Sequence, residues 1–323
     1  EYEILQAHVL HRPGHRTDIA GVRRPDEDNS NSHFLLEQGK VRYSTGALFT
    51  SRTRFMHALL NVAVQAARRA GNILARKLNN PQKLKIEQKG RNDFVTDADR
   101  AAEDAIIETI RDLYPDHAVL AEESGADGDS DTVWIIDPLD GTTNFLHGFP
   151  VFAVSIGVRV KGRMEHAVVY DPIRQELFTA SRGDGAQLDG RRIRISGQTR
   201  LEHALIGTGF PYKLMDGEMT PYLRMLEKVL RHTSGVRRPG AAALDLAYVA
   251  AGRLDGFWET NLNAWDLAAG SLLIREAGGI ISGLDGSENF LDTGHVLAGS
   301  PKVYAALAKL CAQDIKTLLN PGT

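Results

Sequence analysis

Apolar residues first recur at helical spacing from Met56, where Leu59, Leu60, Ala63, Ala66, Ala67, Ala70 and Leu74 fall on one face and predict an amphipathic helix. Residues 83–92 are polar. Thr96-Asp97-Ala98-Asp99 then has the form of a capping box, opening a helix that turns Ala102, Ile106, Ile110 and Leu113 inward and ends at Pro115. Residues 118–121 predict a short strand delivering Glu122 and Glu123, and 133–136 a second strand delivering Asp137, so the acids fall at strand ends. Three β-rich runs follow, 152–160, 165–170 and 176–180, separated by Lys161-Gly162 and Asp171-Pro172 turns, and predict an antiparallel meander.

The pattern changes character around 195–201. A strand is expected at 204–208, helices at 221–231 and 241–251, and Gly252 is placed to stop the second helix. A short strand at 257–259, a helix at 266–277 closed by Gly278-Gly279, strands at 280–282 and 296–298, and a last helix opening at Ser300-Pro301 complete the reading. Helices and strands that come in blocks predict a layered α/β arrangement in two halves. Residues 56–194 carry most of the acids, and 195–323 complete the site.

Residues 1–55 mix Arg, Asp, Asn, Ser and His without sustained periodicity. They are expected to be a non-native or disordered N-terminal extension, with Met56 as the native start. His8, His11 and His15 have a spacing that can hold a metal, but inside such a tail it is read as incidental. The 323 residues carry a formal charge of −3, which gives no basic excess for holding a nucleic-acid backbone. The single cysteine, Cys311, lies in an apolar helical pattern and reads as a small buried hydrophobe, so no internal disulfide is expected and a reducing compartment fits. No apolar run reaches about 18 residues and the first residues lack a secretory pattern. A cytoplasmic protein with no membrane partner is expected.

Chemistry concentrates in Trp134-Ile135-Ile136-Asp137-Pro138-Leu139-Asp140-Gly141-Thr142-Thr143-Asn144-Phe145. An apolar strand ends in two carboxylates joined by a proline that restricts the turn, so both can be aimed at one point. Carboxylates with only oxygen partners select a hard cation such as Mg2+. Asp137 can bridge two ions about 3.5–4 Å apart, a separation suited to in-line phosphoryl transfer. Backbone N–H groups of Gly141 and Thr142 at a helix start favour a phosphate. Taken alone, Asp-x-x-Asp-Gly reads first as an ordinary turn with Thr142 as a helix cap. Asp266 reads equally as a plain acid favoured at a helix N-terminus.

The wider pattern resembles the inositol monophosphatase family. Its first signature, Asp-Pro-apolar-Asp-Gly-Thr with a nearby aromatic, matches residues 134–145. Its Trp-Asp-x-Ala-Gly helix with closing glycines matches Trp265-Asp266-Leu267-Ala268-Ala269-Gly270 and Glu276-Ala277-Gly278-Gly279, and Glu122-Glu123-Ser124-Gly125 stands in the expected place upstream. The similarity runs from about Met56 to Leu319 and, through residues 89–96 and Ala242-Ala243-Leu244-Asp245-Leu246-Ala247-Tyr248, leans to the bacterial SuhB-type branch.

The resemblance implies an α/β/α/β/α sandwich of the inositol monophosphatase and fructose-1,6-bisphosphatase type, and two or three Mg2+ ions per site. It places Glu122, Asp137 and the Leu139 carbonyl on one ion, Asp137, Asp140 and Asp266 on a second, and a third, loosely held ion near Glu122. Glu122, with Thr142 paired to Asp99, would position and deprotonate the attacking water without a covalent intermediate. Asp140, Gly141, Thr142, Gly240, Ala241, Ala242, Glu259 and Asp266 would contact a small phosphorylated polyol, Glu259 accepting from its hydroxyls. Ala241 stands where some relatives carry a hydroxyl residue. Arg237-Arg238 reads equally as an aid to an anionic substrate and as a solvated or subunit-contact pair. Family enzymes are commonly lithium-inhibited homodimers.

Myo-inositol 1-phosphate is the expected substrate. Fructose 1,6-bisphosphate, 3'-phosphoadenosine 5'-phosphate and other small esters share the metal constellation. A reading of another class, implied by the SuhB-type likeness, is a partner in transcription antitermination or RNA processing.

Overall fold

The sandwich expected from the resemblance is present. In this computed structural model, which describes residues 51–79, 85–90, 93–211 and 219–320, helix α1 (Ser51–Leu78) buries Leu59, Ala63, Ala66, Ala67, Ala70 and Leu74 as the periodicity predicts. The helix opens at Ser51, more than a turn before Met56. The other expectations for residues 1–50, including the histidine cluster, lie outside the described residues, which all belong to the compact unit Phe49–Thr323.

A hairpin of β1 (Ile86–Gly90) and β2 (Asp93–Thr96) leads into α2 (Asp97–Arg111). The capping box forms as expected: Thr96 Oγ1 accepts from Ala98 N–H at 2.9 Å and Asp99 Oδ2 accepts from Thr96 N–H at 2.9 Å. Ala102, Ile106 and Ile110 are buried, but Leu113 lies past the helix end at Asp112 and is 58% exposed, against the expectation.

The chain continues through β3 (Ala118–Ala121), β4 (Gly125–Asp127), β5 (Thr132–Asp140), the short α3 (Thr142–Leu146), β6 (Ala153–Val160), β7 (Arg163–Asp171), β8 (Glu176–Ser181), β9 (Gly185–Leu188) and β10 (Arg191–Arg192). These form an eight-stranded sheet in the order β10-β9-β8-β7-β6-β5-β3-β4, antiparallel except where β3 pairs with β5. The expected meander is β6 to β8, extended by two strands not foreseen. A strand between two layers needs no alternation, which is why β5 and β6 read as almost continuous apolar runs.

Beyond β10 come β11 (Leu205–Thr208), α4 (Met219–His232), β12 (Gly235–Arg237), α5 (Ala242–Ala250), β13 (Gly256–Glu259), α6 (Ala264–Ala277), β14 (Ile280–Ser282), α7 (Phe290–Thr293), β15 (Val296–Gly299) and α8 (Pro301–Leu319). The five strands make a second sheet, β12-β11-β13-β15-β14, parallel around β11 and antiparallel around β15. The chain leaves the large sheet at Arg192 and enters the small one at Leu205, both within one compact unit.

Three apolar cores separate five layers. α1 and α2 cover one face of the large sheet through Leu59, Ala66, Ile106, Trp134 and Ile156. α5 and α6 fill the space between the two sheets, with Leu246, Leu267 and Leu273 against Ile135, Val169 and Phe257. α4 and α8 cover the outer face of the small sheet through Tyr222, Met225, Trp258 and Leu307. Cys311 is buried there as a free thiol. Among the described residues no helix is long and apolar enough to cross a membrane.

Candidate active site

The acids meet where β5 ends. Asp137 lies opposite Ser155 of β6 and Asp140 opposite Ala153, so three steps along β5 answer two along β6 and the ladder is bulged at Pro138-Leu139. A bulge re-aims side chains that a regular strand would send to alternating faces, and Pro138 suits it because it has no N–H to leave unpaired. Asp137 Oδ1 accepts from Leu139 N–H at 2.9 Å, which locks the carboxylate over its own turn. Asp140 Oδ2 accepts from Ala243 N–H at 2.7 Å. Helix α5 has no capping side chain of its own, since its N-cap residue is Ala241. Asp140 supplies the missing acceptor from across the chain.

Asp266 arrives from the first turn of α6. Its Oδ2 accepts from Asn263 N–H at 2.7 Å, completing a capping box with Asn263. One oxygen each of Asp137, Asp140 and Asp266 lie within 4.8 Å of one another. Glu122 follows β3, pinned by its N–H to Ile136 O at 3.1 Å, and lines the same cavity. Four carboxylates therefore converge from three elements.

Burial, with the charges of Glu122, Asp140 and Asp266 around it, holds the Asp137 carboxyl well above the usual carboxylate range. Burial and the Asp266 charge push Asp140 up to about 7 against the pull of the α5 N–H groups. Such a group ionises only when positive charge arrives. The donor set is all oxygen, with no cysteine or histidine in the cluster, and this suits a hard divalent cation. The residues fit a divalent metal of the kind the resemblance implies.

The cavity beside the cluster has a volume of about 340 Å³. Glu122, Asp137, Leu139, Asp140, Gly141, Thr142, Gly240, Ala242, Glu259 and Asp266 all line it. Gly141 sits at φ 98°, in the left-handed region, where a Cβ would press on Val151 O at 3.0 Å. Thr142 Oγ1 stands 3.1 Å from both Asp99 Oδ1 and Leu139 O, and its single proton serves one of them at a time. Asp99 is fully buried and lies behind the cavity wall, reaching it only through Thr142. Ala241 also is not part of the wall; it is 1% exposed and packs in the core between the sheets.

Arg238 and Asn144 line the wall without standing among the expected site residues, and Asp245 lies buried behind it. Arg238 lines the cavity with its guanidinium 5.2 Å from the Phe210 ring centre, while Arg237 does not line it. Asn144 Nδ2 donates to Val151 O at 2.8 Å and Pro239 O at 2.9 Å, tying the turn after α3 to the approach of α5. Asp245 is buried one turn into α5, its carboxyl raised by burial and by the Glu259 and Asp140 charges. Glu259 itself is raised to about 8 by burial and by Asp266 and Asp140. Periodicity marks none of these, because each acquires its place through a contact distant in sequence.

Residues 56–316 match the model of the inositol monophosphatase family. The chain belongs to that family. Among the relatives of this inositol monophosphatase family member, Nus factor SuhB of Escherichia coli (strain K12) is 54% identical over 267 residues, which are 82% of this chain and 100% of that protein. Inositol-1-monophosphatase of Mesorhizobium japonicum is 52% identical over 254 residues, 78% of this chain and 95% of that one. The crystal structure of extragenic suppressor protein SuhB from Bartonella henselae superposes with a TM-score of 0.76 at 46% identity, covering 79% of this chain and 98% of that chain.

Proposed function

We propose that the chain is a Mg2+-dependent phosphomonoesterase that hydrolyses a small phosphorylated polyol, myo-inositol 1-phosphate foremost, to the alcohol and phosphate. The observation that carries the reading is the convergence of Glu122, Asp137, Asp140 and Asp266 in one cavity beside a threonine held by a buried aspartate. Glu122, Asp137 and the Leu139 carbonyl would hold one ion, Asp137, Asp140 and Asp266 a second, and Glu122 would stand by a looser third. When bound, the ions neutralise charge on the transferring phosphoryl and make water more acidic.

The protein's own groups do the rest. Thr142 Oγ1, donating to Asp99, keeps its lone pairs for a hydrogen of the attacking water, and Glu122 accepts the proton as the water adds to phosphorus. The P–O bond to the alcohol breaks in line, with no phosphoenzyme, and the departing oxygen takes up a proton from solvent water to leave as the alcohol. Backbone N–H groups of Gly141 and Thr142 serve the phosphate, Gly240 and Ala242 wall the alcohol, and Glu259 accepts from its hydroxyls. We further infer a cytoplasmic homodimer.

Phosphate release from inositol 1-phosphate, with and without Mg2+, tests this against Asp140→Asn. Turnover that needs Mg2+ and is lost in the variant supports the reading; silence across a panel of sugar and nucleotide phosphates rejects it. Asparagine suits the test because its amide oxygen can still accept from Ala243 N–H, so α5 keeps its cap.

A second reading is favoured by the name Nus factor SuhB carried by a relative of more than half identity: a role bound to the transcription or RNA-processing machinery. Capture of RNA polymerase components by the Asp140→Asn protein supports it, since binding should outlive turnover. No capture by either form rejects it.

A further inference from the structure

We propose that Glu103 is a positioning residue for Glu122, setting the water-side carboxylate through the backbone that follows it. Glu103 lies on α2, one helical turn after Asp99, and the two acids share a face. Both are buried, at 3% and 0% exposure. Asp99 faces the turn that begins α3, where it accepts from Thr142. Glu103 faces the turn that leaves β3: its Oε2 accepts from Glu123 N–H at 2.9 Å and its Oε1 from Ser124 N–H at 2.8 Å. The N–H of Glu122 is itself bonded to Ile136 O, on the residue before Asp137.

Three consecutive N–H groups are thereby fixed, one to the strand that carries the metal acids and two to a single buried carboxylate. A residue held in this way has its Cα and Cβ directions set before any ligand binds. One helix, through two acids a turn apart, thus aligns the two groups that handle the attacking water, Glu122 and Thr142. Both oxygens of Glu103 are committed to N–H donors, so the charged carboxylate is the group that fits; an amide would point its own N–H2 at one of them. Carboxylates that orient ligands from behind cost about 10–100-fold in metal affinity or activity when removed.

The inference rests on the phosphatase reading for its kinetic part, and the experiment separates the two. Glu103→Gln and Glu103→Ala are made in the full chain beside Glu108→Gln, an exposed control on the same helix. Binding of Mn2+ is followed by electron paramagnetic resonance, which needs no turnover, and phosphate release is followed against Mg2+ concentration. Both Glu103 variants should weaken Mn2+ binding and raise the Mg2+ midpoint about tenfold or more, and lower kcat with KM for the ester within about twofold. Glu103→Asp should recover part of the loss, and Glu108→Gln should match the parent. If the parent binds Mn2+ but hydrolyses nothing, the phosphatase reading fails while the Mn2+ comparison still decides Glu103. Folded Glu103 variants with parental Mn2+ affinity and Mg2+ midpoint, altered only in melting temperature, overturn the proposal. Should Glu103→Ala fail to fold, the isosteric Glu103→Gln carries the decision.

Discussion

Glu259 owes its place to a missing side chain. β11 and β13 are parallel neighbours with Thr208 opposite Trp258, which brings the next residues of both strands, Gly209 and Glu259, together. A Cβ at position 209 would overlap Glu259 Oε1, Cδ and Oε2 outright. The backbone there has little room to yield, because Gly209 O accepts from the Tyr222 hydroxyl, and the one proton of the Thr208 hydroxyl serves either Gly209 O at 3.2 Å or Trp258 O at 2.9 Å. In Gly209→Ala the carboxylate must therefore retreat by roughly 2 Å to reach ordinary contact. A retreat of that size breaks the hydrogen bond proposed to a substrate hydroxyl, which contributes about 1.5–3 kcal/mol once bound metal has ionised the acceptor. The expected loss is roughly 10- to 100-fold in kcat/KM for inositol 1-phosphate, at about 1.4 kcal/mol per decade. Para-nitrophenyl phosphate has no such hydroxyl and should lose less than about twofold. In a Glu259→Gln background the alanine should add little, because neighbours that act through one contact are not additive. Equal losses on both esters, or an inositol 1-phosphate loss below about twofold, would refute the reasoning.

Asp137→Asn should lower phosphate release at least about a thousandfold, since the charge proposed to serve two ions is withdrawn; near-normal turnover would reject that assignment. Thr142→Ala should cut kcat by about 100-fold, the scale of one proton-handling group, with the Mg2+ midpoint shifted less than about threefold; a midpoint that moves with kcat would make Thr142 a metal-site residue instead. Stability without divalent ions should fall as pH rises. Asp140 at about 7 and Glu259 at about 8 keep protons in the folded state that the unfolded chain gives up above about 4, so their contribution is full below that value and is lost through pH 8. Thermal melts in EDTA should drop between pH 5 and 8 and recover more with Mg2+ at pH 8 than at pH 5. A melting temperature that climbs with pH in EDTA would refute the electrostatics.

What the sequence discloses and what it withholds divides along the range of the contacts. Thr96 to Asp99 and Asp137 to Asp140 are local arrangements, and a capping box or a proline-restricted turn is written in adjacent residues. Buried helices and the central strands β5 to β8 are legible for the same reason, because burial on one or two faces leaves a periodic or continuous apolar trace. The strand β1 leaves little: Ile86 is 56% exposed beside the polar Lys85 and Glu87, and the buried Val95 of its partner β2 is too short a trace to mark a hairpin. Gly209, Asn144 and Glu103 are illegible in another way, since each is an ordinary residue of its segment until a distant segment docks on it. Asp140 joins the two classes. The motif marks it as a metal acid, yet only the fold shows that its other task is to cap α5, a helix whose N-cap position holds an alanine. The proposed ligand set and the packing between the sheets thus share a side chain. Replacement by alanine would remove the proposed metal ligand and expose the first N–H groups of a buried helix together, whereas asparagine removes the charge and leaves the cap, so the difference in stability between these two variants measures what the cap contributes.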